Sequence, residues 1–94
     1  MIKKIFTVYD EKSDAYLQPF FLDTIGQATR AVTDCVNDEN HQFCKHSSDY
    51  TLFSLGEFDD STGTFSGDKK SLGSLVEYKT IIDTPKLVAI GGSE

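Results

Sequence analysis

His46-Ser-Ser-Asp-Tyr-Thr-Leu-Phe-Ser-Leu-Gly-Glu-Phe-Asp-Asp-Ser-Thr-Gly63 is the stretch that decides the fold of this chain. It reads as a strand followed by a turn. Tyr50, Leu52 and Phe58 fall on one face of the strand, and Phe53 and Leu55 on the other. A strand apolar on both faces belongs in the middle of a sheet or at a dimer interface. Glu57 stands among these apolar residues, where a cross-strand charge pair is the commonest arrangement. In Asp59-Asp60-Ser61-Thr62-Gly63 the Asp and Ser side chains can bond nearby amides, and Gly63 supplies a positive φ. Thr64-Phe65-Ser66 begins the return strand, with Phe58 and Phe65 paired across the hairpin.

Upstream, Ile2, Phe6 and Val8 alternate with Ile5, Thr7 and Tyr9 in a β-rich run, the first strand. Asp10-Glu11-Lys12-Ser13-Asp14 ends it as a charged loop. In Ala15-Tyr16-Leu17-Gln18-Pro19-Phe20-Phe21 the proline holds its own φ and pushes Gln18 extended, which predicts an edge strand or connector. A helix is predicted over about 24–37. Ile25, Ala28, Val32, Cys35 and Val36 form one apolar stripe, and Thr24 with Gln27 fits a capping box, Asp23 being the alternative cap. Arg30 and Asp34 sit on the outer face, and Asn37 can close the helix in the left-handed conformation.

Residues 38–48 read as a polar loop and Gly67-Asp68-Lys69-Lys70 as another. Leu75 to Ile82 reads as a strand, although Leu72, Leu75, Val76 and Lys79 also fit one short helical face. Lys86 to Ile90 reads as a last short strand, after Pro85. The expectation is an α+β fold with one amphipathic helix packed on a mostly antiparallel sheet of four to five strands. Residues 1–94 form a single domain with a polar tail from about 91.

The chain has 94 residues, with 38% hydrophobic and 12% aromatic. That is enough apolar mass for a folded core, but near the lower size limit for one. Dimerisation is one way for so small a domain to bury more. No apolar run approaches the ~20 residues of a membrane helix, and the start lacks the pattern of a secretory signal. The expected location is therefore the cytoplasm, with no membrane partner. Two cysteines, Cys35 and Cys44, then read as free thiols. The net charge of −6 opposes general binding to nucleic acid, so any such role needs a local patch. A partner protein with a basic face suits the bulk charge better.

His41, Cys44 and His46, with Cys35 nine residues before Cys44, raise the question of zinc. The spacing lacks the paired Cys-x(2–4)-Cys pattern, and Cys35 lies on the apolar helix face, so no metal is assigned. A Cys44–His46 nucleophile has no orienting partner. The adjacent Asp59 and Asp60 are explained by turn chemistry, and no glycine-rich phosphate loop is present. The chain reads as a protein without catalysis or cofactor. For nucleic acid, the candidate residues are Lys45, His46, Lys69 and Lys70 as cations and Tyr50 as a stacking ring, with Lys3, Lys4, Tyr9, Tyr16 and Tyr78 as further candidates.

The opening stretch, with Tyr9-Asp10, Pro19-Phe20-Phe21, Ala28-Thr29-Arg30-Ala31 and Val36-Asn37-Asp38, resembles the small non-structural protein of gokushovirus-type microviruses, phages with circular single-stranded DNA. The likeness covers roughly residues 2 to 65. Ser47 stands where those proteins commonly have proline, and Phe53 where tyrosine is frequent. The resemblance implies a phage accessory in the host cytoplasm, acting in single-stranded DNA replication and genome packaging. It would bind the DNA or the replication complex, with the replication initiator or the procapsid as protein partners. The resemblance assigns no site residues. The alternative is an adaptor that docks on a phage or host protein without touching DNA.

Overall fold

The computed structural model describes residues 1–79. Strands β1 (Ile2–Asp10), β2 (Ala15–Tyr16), β3 (Phe20–Leu22), β4 (Tyr50–Asp59) and β5 (Thr64–Ser74) form one five-stranded antiparallel sheet. Helices α1 (Ile25–Val36) and α2 (Gln42–Lys45) lie on one side of it. The expected α+β architecture is the observed one.

β2 and β3 share one edge of β1: Tyr16 faces Tyr9 and Phe21 faces Ile5, with a break at Gln18-Pro19. Pro19 has no amide hydrogen to give, so it sits where the edge is interrupted. β4 runs between β1 and β5, the central place that its two apolar faces demand.

Thr24 caps α1, its Oγ1 accepting from the Gln27 amide at 3.1 Å. The Gln27 side chain accepts from the Asp23 amide at 3.0 Å, one residue earlier than a full capping box requires. Ala28, Val32 and Val36 are the buried stripe, four residues apart, and Cys35 is half-buried. Ile25 lies exposed in the first turn, outside that stripe. Asn37 ends the helix at φ −98°, not in the left-handed region; its side chain donates to the Thr33 carbonyl instead. The stripe meets Phe6, Val8, Tyr50, Leu52 and Leu75 in one core. Each large apolar side chain fully buried there contributes roughly 1.5–3 kcal/mol.

Four further expectations change. First, Phe58 does not share a face with Tyr50 and Leu52. The β1–β4 register shifts between Ile5 and Phe6, leaving Leu55 as an extra residue on β4. This bulge turns Phe58 over, onto the face of Phe53. Second, Gly67 to Lys70 is strand, not loop: β5 runs on to Ser74. Third, Leu75–Tyr78 is a 3-10 turn, not a strand. Ser74 caps it with a capping box from Glu77, and Leu75 turns fully into the core. Fourth, the polar loop before β4 contains α2, capped by His41 Nδ1 accepting from the Phe43 amide at 3.0 Å. The readings of Thr80 to Ile82, of Lys86 to Ile90 and of the tail lie outside the described residues.

Candidate nucleic-acid interface

Register fixes which side chains share a face. On the helix side lie Phe6, Val8, Leu52 and Tyr50. The opposite side takes Lys3, Ile5, Thr7 and Tyr9 from β1, with their partners Phe58, Gly56, Phe53 and Thr51 on β4. Tyr16 and Phe21 join from the β2/β3 edge, and Phe65, Gly67 and Ser71 from β5. Among the described residues no helix covers this side. It is an open sheet face lined with aromatic rings.

At its centre Lys69 reaches back from β5. Its Nζ lies 4.8 Å from the centre of the Tyr16 ring and 5.3 Å from that of Phe53, and donates to the Tyr16 hydroxyl at 2.8 Å. Tyr16 meets Phe53 edge-on at 5.6 Å and Tyr9 at 4.8 Å. Beneath them Thr7 is buried, its hydroxyl donating to the Leu17 carbonyl at 2.6 Å. The Tyr9 hydroxyl donates to the Asp14 carboxylate. That bond favours the neutral phenol, and the Tyr9 pKa is pushed up to about 12.

The other sheet lysines are neutralised. Lys3 binds Asp23 at 2.8 Å, Lys4 binds Glu57 at 2.7 Å and Lys70 lies 3.3 Å from Asp68. The hydrogen bond to Asp23 raises the Lys3 pKa. Among the described residues Lys69 has no carboxylate within salt-bridge distance; rings and a hydroxyl hold it. An ammonium over exposed rings gains only about 0.5–1 kcal/mol, so its charge remains available to an anion.

Of the five residues first singled out, only Lys69 stands on this face. Lys70 pairs with Ser54 and faces the helix side. Tyr50 is 6% exposed, tilted against Phe43 with ring centres 4.7 Å apart, its hydroxyl donating to Gln42 Oε1 at 3.3 Å. It is a wall of the core, and its ring face is not offered to a base. Lys45 and His46 sit at the end of α2, on the helix side. His41 and His46 serve as the cap positions of α2, and among the described residues no three His, Cys, Asp or Glu side chains gather as metal ligands.

Glu57 and Asp59 have the partners their setting suggested, and Asp60 has a different one. Glu57 takes Lys4 across the strands. Asp59 accepts from the Ser61 amide at 3.0 Å and the Ser61 hydroxyl at 2.6 Å, which lowers its pKa. Asp60 holds the N-terminal ammonium at 2.7 Å.

Tyr16, one of the further candidates, does stand on this face, while the rings Phe21, Phe53 and Phe65 are the ones that reading by local charge passed over. One signal points to them: the sequence has two apolar sheet faces and a single long helix, which can cover only one.

No curated protein matches the chain, and no solved structure does. The model of the family described as Phage ORF5 protein matches residues 3–78. That span takes in every described element of the sheet and both helices, and the chain belongs to the Phage ORF5 protein family.

Proposed function

We propose that this phage protein is a non-enzymatic accessory of single-stranded DNA replication and packaging in the host cytoplasm, and that it holds the single strand on the open face of its sheet. The observation that carries the reading is Lys69, an uncompensated cation seated between the rings of Tyr16 and Phe53. Bases stack on rings of this kind regardless of sequence, while an ammonium beside them meets the phosphate. The likeness to gokushovirus-type proteins supports a single-stranded genome as the setting.

Net charge shapes the expectation. At −6 overall, with Lys69 the free lysine of this face among the described residues, binding rests on stacking more than on counterion release. Fluorescence anisotropy of a labelled strand of about 30 nucleotides, at two salt concentrations, tests it. Saturable binding with a shallow salt slope, near −0.7 per phosphate neutralised, is expected. Absence of binding at low salt overturns the reading.

Phe21 and Phe65, 52% and 62% exposed, favour a second reading. Apolar rings on an acidic protein suit an adaptor that docks on the replication initiator or the procapsid. A negative DNA titration leaves that reading standing.

A further inference from the structure

The open face carries a second group of rings. Phe58 and Phe65 are directly opposed across β4 and β5, and Phe21 meets Phe58 edge-on at 6.2 Å and 77°. Phe53 and Phe58 are five positions apart with one residue absorbed in the bulge, which separates the two groups by roughly 14 Å. Between them Gly56 faces Gly67, so β4 and β5 carry no side chain at that one pair, while Leu55 lines the first group beside Thr7, Tyr16 and Lys69. Lys69 stands beside that pair, two residues from Gly67.

The surroundings of the second group are electrically spent. Lys3 is tied to Asp23, and Asp60 to the N-terminal ammonium. Such a rim suits an uncharged planar ring better than a phosphate. Among the described residues the free cation of this face is Lys69, which springs from β5 beside the glycine pair and sets its ammonium over the first group, where a backbone leaving that group would pass.

We infer that Phe21, Phe58 and Phe65 form a second base-stacking site, so that one DNA strand crosses the Gly56–Gly67 pair with a base on each group and a phosphate at Lys69. The inference rests on the DNA reading above and adds its footprint. A second copy of the chain is the rival occupant.

Affinities for oligothymidylates of about three, six and twelve nucleotides test it, together with Phe65→Ala and Gly67→Val. Phe65 is largely exposed, so its removal spares the core. A Cβ at Gly67 meets the Phe65 ring at 3.3 Å, and that exposed ring can move aside. Affinity is expected to climb between the shortest and the middle strand and then level off. Each variant should weaken the longest strand by about fivefold to a hundredfold and leave the shortest unchanged.

If either variant binds the longest strand as the wild type does, the second site is wrong while the DNA reading holds. If Phe65→Ala turns a dimer into a monomer and leaves DNA affinity intact, the face belongs to a second copy. If no strand of any length binds, the DNA reading and this inference fall together.

Discussion

Replacing Gly56 with alanine should unfold this protein more readily than any other single methyl group added to its sheet. Gly56 has φ of 139°, a conformation that L residues rarely adopt. A Cβ at that position lies 2.0 Å from the Ser66 carbonyl oxygen and 3.0 Å from the Gly67 Cα. Both are backbone atoms, so no side chain can swing away to make room. Alanine must therefore force β4 and β5 apart or undo the bulge at Leu55. Backbone strain of this type costs about 1–3 kcal/mol, and overpacking a further ~1–3 kcal/mol. The sum, roughly 2–6 kcal/mol, is large for a domain whose whole stability is about 5–14 kcal/mol. The melting midpoint, followed by circular dichroism, should fall by at least about 8 °C and by as much as about 50 °C. Gly63→Ala is the control: its φ is 74°, but no atom lies within 4 Å of the added Cβ. It should cost only about 1 kcal/mol. If Gly56→Ala melts no lower than Gly63→Ala, the reasoning from the close approach of β5 is refuted.

Three further outcomes are expected. Leu75→Ala, in a fully buried side chain that ties the last described turn to α1, should lose about 2–5 kcal/mol in urea unfolding, while Val76→Ala on the exposed side stays within ~0.5 kcal/mol; equal effects would place Leu75 outside the core. Tyrosinate absorbance should show Tyr9 ionising last, near its raised value of about 12. Because the fold keeps the Tyr9 proton that the unfolded chain releases near pH 10, this residue's contribution to stability is whole below pH 10 and is lost between about 10 and 12. Asp14→Asn, at a residue whose φ of 53° asparagine tolerates, should bring that titration down, and an unchanged titration would deny the Asp14 bond its role. Lys69→Gln should weaken DNA binding and reduce the salt slope by about 0.7, whereas Lys70→Gln leaves the slope alone; the reverse result would move the phosphate contact to the helix side.

Local pattern carries the sequence reading a long way. Alternation marks β1 and most of β4, the 3–4 spacing of Ala28, Val32 and Val36 marks α1, and the Asp59–Gly63 cluster marks the hairpin turn with its Phe58–Phe65 pair. These elements are specified by neighbours a few residues apart, so they are visible in one dimension. Leu75–Tyr78 misleads because a β-rich run of four residues is also one turn of helix. Only burial of Leu75 against α1 decides between the two.

The site was far less legible. Lysines next to each other in the chain point to opposite faces, as Lys69 and Lys70 do, so only one of them meets the rings. A single extra residue at Leu55 moves Phe58 across the sheet, and nothing in the alternation announces it. Sequence by itself determined β1, α1, the β4–β5 hairpin with its turn and the surplus of apolar faces over helices to cover them. Tertiary structure alone decided which rings share the open face and which described lysine of that face is left without a carboxylate, because both depend on strand register and on partners more than fifty residues apart in the chain, such as Tyr16 and Lys69.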